Sequence, residues 1–322
     1  MRNVALLRLD QAGGPAPGNK SFKLSGYIAE AGRLGITRLL SFGGAWSNHL
    51  HALAATGHHL GLETIGIVRG EVRGAQSGEQ SVDQRGARNY EHPHEESAML
   101  RDARRWGMQL LHVSRHDYRQ RNDADYQRQI AARFAPCVLI PEGGASALGA
   151  QGCSAIAAML RRKAHWARTI VLPIGTGTTL AGLAANLDDG YELIGVSALK
   201  GATDLHDRIQ ALIAELTDSC ATGLSPGLNT DPISGLAAVS HARWRILHDH
   251  HCGGFARVSP PLREFMLAFE AAQGIRVEPV YTGKMLFALH QLYQRGDWDP
   301  DVPVIAVHTG GLQGRRGYDW LG

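Results

Sequence analysis

Short apolar runs alternate with segments of helical period along almost the whole chain. Arg38-Leu39-Leu40-Ser41-Phe42, Thr64-Ile65-Gly66-Ile67-Val68, Leu110-Leu111-His112-Val113 and Cys137-Val138-Leu139-Ile140 read as strands. Asn48 to Gly61, Glu96 to Trp106 and a segment ahead of Cys137 carry the helical spacing between them. The second half repeats the scheme. Thr169 to Pro173, Glu192 to Val196 and Val302 to Val307 read as strands, Leu180 to Leu187 and Asp204 to Leu216 as helices. Arg8-Leu9-Asp10 reads as a short leading strand. The strands are near-continuous apolar runs, which is what burial between two helical layers demands. Strand–helix alternation at this spacing predicts α/β units on mostly parallel open sheets, each of three layers (αβα). Gly70 to Glu96 breaks the rhythm. It reads as a long solvated loop, or else as a substrate-entry flap. Gly223 to Gly235 is a second irregular stretch.

The 322 residues allow about two domains. The balance of 33 basic and 30 acidic residues leaves +3, and the basic residues are scattered, so nothing points to nucleic acid. The sixteen histidines do not fall at metal-ligand spacing. They read as scattered surface residues, those of the segment His49, His51, His58 and His59 included. No metal is expected. The four cysteines form no CxxC, which fits a reduced cytoplasmic protein. Met1 to Arg8 has too short an apolar run for a signal peptide, and no run approaches the roughly 18 residues that span a membrane.

Gly18-Asn19-Lys20-Ser21-Phe22-Lys23 leads at once into a helix. Lysines three residues apart project from one side of its first turn. One amine can form an imine with an aldehyde, and the other can neutralise a phosphate beside the helix start. That pair suggests pyridoxal phosphate; two solvated charges are the alternative.

Four glycine-bearing junctions share one scheme, in which a strand ends, the chain turns tightly and a helix begins. Ligands of open α/β sheets bind at such edges. Gly43-Gly44-Ala45-Trp46-Ser47-Asn48-His49 places Ser47 and Asn48 where a helix cap belongs; they either cap it or face a ligand. Gly175-Thr176-Gly177-Thr178-Thr179 offers backbone N–H groups and hydroxyls to a phosphate, without the lysine of a Walker loop. In Glu278-Pro279-Val280-Tyr281-Thr282-Gly283-Lys284 an extended segment precedes a long amphipathic helix. Thr282 there could be only a cap, and Lys284 a solvated residue. His308-Thr309-Gly310-Gly311-Leu312-Gln313-Gly314 follows the last strand.

In this order, and with Pro141-Glu142-Gly143-Gly144 between them, these motifs resemble the 1-aminocyclopropane-1-carboxylate deaminase / D-cysteine desulfhydrase family. These are pyridoxal-phosphate enzymes of fold type II, the tryptophan-synthase-β-like class. The resemblance covers nearly the whole chain. It implies a large cofactor-binding domain from 1–22 plus 141–322, a small domain from 23–140, and the active site between them. It implies a homodimer acting on a small amino acid, as a lyase or deaminase (some such reactions are classed as hydrolase).

By the same resemblance, Lys20 is the Schiff-base lysine and Lys23 pairs with the phosphate, cradled by Gly175, Thr176, Gly177, Thr178 and Thr179. Asn48 bonds the ring's phenolic oxygen. Ser47 lies near the substrate carboxylate, and Asn48, His49 and Tyr281 line the substrate. Lys20, Ser47 and Tyr281 are the implied catalytic set. Thr282 faces the pyridine nitrogen, where cyclopropane deaminases of the family carry glutamate. A hydroxyl there suits β-elimination and points to the desulfhydrase side, with α-keto acid, ammonia and a thiol as products. Three departures stand out: the family's N-terminal extension is lacking, Phe22 stands for arginine, and Phe255 for tyrosine. Thr178 replaces a glycine, which a negative φ permits. Other readings are cyclopropane ring opening, a catalytically impaired cofactor-binding relative, and a nucleotide-binding α/β protein.

Overall fold

The computed structural model describes residues 2–70, 96–221 and 241–321, the side chains of 219–221 excepted. The stretch Gly223–Gly235, and Gly70–Glu96 apart from its end residues, lie outside the described residues. The chain divides into two compact units. The first comprises Met1–Gly13, Pro17–Gly26 and Ser146–Leu312, the second Gly14–Ala16, Tyr27–Ala145 and Gln313–Gly322. Among the described residues no helix is long and apolar enough to cross a membrane.

The sheet of the first unit runs β1 (Val4–Arg8), β9 (Val304–His308), β6 (Thr169–Ile174), β7 (Glu192–Ser197) and β8 (Arg243–Leu247) in spatial order. All its pairings are parallel. β6 is central and wholly buried. It carries Pro173, which lacks an N–H; the ladder with β9 has already stopped at Val171. One face packs on α7 (Ser154–Lys163), α8 (Thr178–Asn186) and α9 (Leu205–Ala221) through Ile156, Leu160, Leu180, Leu183, Leu205 and Ile209. α11 (Thr282–Arg295) packs on β6 and β9, with α10 (Pro260–Gln273) against it. The second unit has a parallel four-stranded sheet of β4 (Gln109–Val113), β3 (Glu63–Arg69), β2 (Arg38–Gly43) and β5 (Val138–Ile140). Leu40, Phe42, Ile65, Ile67 and Leu111 meet Tyr118 of α4 (Arg115–Arg119) and Ile130 of α5 (Ala124–Ala132). α2 (Asn48–Leu60) also packs against β2 and β3, with α3 (Ala98–Arg105) beside it.

Several sequence expectations need correction. Arg8 ends its strand, and Leu9–Gln11 form a 3-10 turn. The Arg8 guanidinium grips Asp10 two residues on, at 2.6 and 2.8 Å, and bends the chain. The last strand begins at Val304, not Val302. Residues 277–279 form no strand, because the Glu278 carboxylate gathers the next backbone N–H groups into a turn. His308 leads into a 3-10 turn, Leu312–Gly317, rather than a helix. Residues 313–322, expected with the first unit, belong to the second. There Gln313 bonds Asn48 and Arg316 bonds Asp102. β8, α10, α6 (Ala147–Gly152) and α7 were not anticipated.

Candidate active site

Close backbone approach positions the first lysine. Gly18 has φ 122°, and a side chain there would lie 2.7 Å from the Thr309 carbonyl. This contact sets the start of α1 (Asn19–Leu34) against the end of β9, where the Asn19 N–H donates to Thr309 O at 3.0 Å. Asn19 is buried and bridges two groups. Its Nδ2 donates to Thr179 Oγ1 at 3.1 Å, and its Oδ1 accepts from Lys20 Nζ at 3.1 Å. One turn along α1, the buried Lys23 donates to Thr176 Oγ1 at 3.4 Å. Thr176 and Thr178 share a hydroxyl–hydroxyl bond of 2.8 Å.

The Gly/Thr loop is the start of α8. Gly177 is its N-cap, with φ 81°, and a side chain there would press within 2.4 Å of Ile209. Glycine is therefore required for both conformation and space. Thr178, by contrast, keeps a negative φ. The helices at Ser47, Ser97 and Ser259 each have a serine hydroxyl capping the first turn; α8 has no side-chain cap. Its first turn, Thr178, Thr179 and Leu180, is buried. A buried helix start without a side-chain cap, beside a buried lysine, suits an anion.

Burial sets the protonation of both amines. It pulls Lys20 down to about 8, opposed by the charges of Cys153 and Glu278. It pulls Lys23 to about 7, helped by the charge of Lys20. An ammonium that loses its water loses its main stabilisation, so the neutral, nucleophilic amine becomes accessible near neutrality. A bound phosphate would restore the charge on Lys23.

Glu278 organises the third junction. Its Oε1 accepts the N–H groups of Tyr281 at 2.7 Å and Thr282 at 2.6 Å, and its Oε2 that of Val280 at 2.8 Å. The carboxylate thus replaces a side-chain cap on α11, and burial raises its pKa to about 7. Tyr281 lies with its ring centroid 6.0 Å from Lys20 Nζ. Gly175 makes room for that ring, since a side chain there would meet it at 3.1 Å. Phe255 meets Tyr281 edge-on at 6.2 Å. The Thr282 hydroxyl is buried and has no hydrogen-bond partner among the described residues, so it does not cap the helix. Lys284 is not solvated but fully buried, donating to the Gly254 carbonyl at 2.6 Å.

In the second unit Ser47 caps α2 through the Leu50 N–H at 3.2 Å. Asn48 follows, with its Oδ1 taking a hydrogen bond from Gln313 at 2.9 Å. His49 is no surface residue. It is buried, and Nε2 lies 2.9 Å from Ser41 Oγ at the end of β2. The first unit therefore gathers Lys20, Lys23, the residues of the Gly175–Thr179 loop and Tyr281. Ser47, Asn48 and His49 form a separate group at one sheet edge. The sequence reading assigned no role to Glu278 or Asn19. The signal for Glu278 was its spacing, one helical turn ahead of Thr282.

An amine with a lowered pKa, an uncapped helix start beside a buried lysine and a buried hydroxyl with no partner among the described residues fit a phosphorylated carbonyl cofactor. The chain belongs to the pyridoxal-phosphate dependent enzyme family, whose model matches residues 4–310. It is 26% identical over 306 residues to the D-cysteine desulfhydrases of Salmonella newport and Salmonella typhimurium, covering 91% of this chain and 82% of theirs. Among solved structures, an ACC deaminase homologue superposes with a TM-score of 0.74 at 21% identity, covering 98% of this chain and 87% of that one. Threonine deaminase isoform 2 of Solanum lycopersicum gives 0.60 at 12% identity, over 96% and 75%. The fold is fold type II, and the cofactor is pyridoxal phosphate.

Proposed function

We propose that the chain is a lyase that removes the β-substituent of a small D-amino acid of the cysteine type. D-cysteine and water would give pyruvate, ammonia and hydrogen sulfide. The observation that carries this reading is the Thr282 hydroxyl, buried and without a partner among the described residues, where cyclopropane deaminases of the resembling family carry a carboxylate. The similarity to D-cysteine desulfhydrases supports the substrate class.

Bound pyridoxal phosphate supplies the electron sink for the carbanion left when the α-proton departs. Lys23, with Gly175, Thr176, Gly177, Thr178 and Thr179, holds the phosphate; the uncapped start of α8 supports this assignment. Lys20 carries the cofactor and, once freed, takes the α-proton on Nζ. Its lowered pKa supports that role, because a base must be neutral to accept a proton. Asn19 holds Nζ in place through Oδ1. Tyr281 and Ser47 hold the substrate carboxylate and assist proton movement. Asn48 donates to the phenolic oxygen, and His49 lines the substrate. Thr282 donates to the ring nitrogen, which a hydroxyl can do only while that nitrogen is unprotonated. The protein is further proposed to act as a cytoplasmic homodimer, which sedimentation of the purified protein would check.

The test is release of pyruvate and sulfide from D-cysteine by the cofactor-loaded protein, abolished in Lys20→Ala. Release of 2-oxobutanoate from 1-aminocyclopropane-1-carboxylate instead would replace this reading with ring opening. Turnover of neither substrate, nor of D-serine derivatives, would leave a non-catalytic relative.

A further inference from the structure

We infer that Gln313 is a positioning residue that fixes the Asn48 amide with its NH2 group outward, making Asn48 a hydrogen-bond donor to the cofactor's phenolic oxygen. The inference rests on the proposed role of Asn48. An asparagine amide can present either its oxygen or its nitrogen to a ligand. The terminal torsion that exchanges them is soft and roughly two-fold. A phenolate oxygen accepts only the nitrogen side.

Here the oxygen side is engaged. Gln313 Nε2 donates to Asn48 Oδ1 at 2.9 Å, and a side chain on Gly314 would come within 3.7 Å of the same oxygen. Asn48 Nδ2 has no hydrogen-bond partner among the described residues. Asn48 is also the first residue of α2, directly after the capping Ser47, so its backbone is fixed and only the amide remains to be set. The backbone of Gln313 is itself held. Arg316 Nε donates to the Gln313 main-chain carbonyl at 3.1 Å while its Nη2 donates to Asp102 Oδ2 at 2.5 Å, and Gly317 lies against the Trp46 ring. The turn after β9 thus presents an amide donor to the head of α2.

Exchanging that donor for an acceptor should invert the amide. In Gln313→Glu the carboxylate would take the hydrogen bond from Asn48 Nδ2, turning Oδ1 outward. The experiment compares pyridoxal phosphate with its 3-deoxy analogue, which lacks the phenolic oxygen, by equilibrium dialysis against apoprotein. Wild type should prefer pyridoxal phosphate by about tenfold, the worth of one such hydrogen bond. Asn48→Ala and Gln313→Glu should both lose the preference by weakening pyridoxal phosphate alone. Gln313→Leu, which frees the amide without inverting it, should fall between. If Gln313→Glu and Gln313→Leu weaken both ligands equally, Gln313 only anchors the turn, and the inference is overturned. If Asn48→Ala loses the preference while both Gln313 variants retain it, the inference falls and the role of Asn48 stands. A wild type without preference removes both.

Discussion

Lys284 donates to the carbonyl of Gly254 at 2.6 Å from a side chain that is 1% exposed. Lysine is almost never so buried without a purpose for its charge. Gly254, at φ 114°, leads into Phe255, whose ring meets Tyr281. The lysine and Glu278 attract each other across the turn that carries Tyr281 and Thr282. Lys284 thus ties the Phe255 loop to the helix that begins beside Tyr281.

Lys284→Met keeps the apolar stem and removes the ammonium. Gly254 then keeps only the Arg257 N–H, at 3.1 Å, as a donor to its carbonyl, and Glu278 loses a compensating charge. Urea unfolding should show a loss of roughly 1.5–3 kcal/mol, the net worth of one hydrogen bond from a charged group. Turnover should fall several-fold as the Phe255–Tyr281 contact loosens, with cofactor affinity unchanged. Stability equal to wild type would mean that the ammonium does not hold the loop.

Thr282 offers the opposite case. Its hydroxyl is buried without a hydrogen-bond partner among the described residues, which costs the apoprotein roughly 1–3 kcal/mol. Valine has the same shape without the hydroxyl. Thr282→Val should therefore stabilise the apoprotein to urea while weakening pyridoxal phosphate, so that the variant gains less stability on loading than wild type does. Destabilisation of the apoprotein would show that the hydroxyl is satisfied without cofactor.

Reconstitution should report the state of Lys20. Only the neutral amine attacks an aldehyde, and burial pulls Lys20 to about 8. Below that pH the neutral fraction falls tenfold per unit. The rate at which apoprotein acquires its visible absorption band should accordingly rise from pH 6 to about 8 and level off above. A rate still climbing steeply to pH 10 would indicate an ordinary, solvated lysine.

The strands and their helices were legible because burial on both faces leaves unbroken apolar runs, as in Ile170 to Ile174 and Leu39 to Phe42. The lysines were legible as a pair at a helix start. What the pattern hid was polar chemistry inside the protein. His49 and Lys284 read as solvated because residue type favours the surface, yet both are buried against partners distant in sequence. Short helices such as Ala147–Gly152 lack enough turns to show a period. β8, reading Arg243-Trp244-Arg245-Ile246-Leu247, is an edge strand whose exposed arginines interrupt the apolar run. The bend at Arg8-Asp10 comes from a side-chain pair that periodicity does not register.

Glu278 gives a pH dependence whose sign is opposite to the usual carboxylate. Burial raises it from 4.5 to about 7, and the N–H groups of Thr282, Val280 and Tyr281 offset that only in part. Between those values the folded protein holds the proton more often than the unfolded chain. The group therefore contributes stability that is complete below 4.5 and is lost as pH rises through 7. Glutamine keeps the shape and one acceptor but never titrates. Wild type should accordingly lose ground to Glu278→Gln between pH 5 and 7.5, at no more than about 1.4 kcal/mol per pH unit. Urea unfolding of both apoproteins at the two pH values measures the gap, and titrating groups that do not sense the Glu278 charge cancel in the difference. A gap that instead stays level between pH 5 and 7.5 would show that the three N–H groups outweigh burial and keep the carboxylate charged throughout.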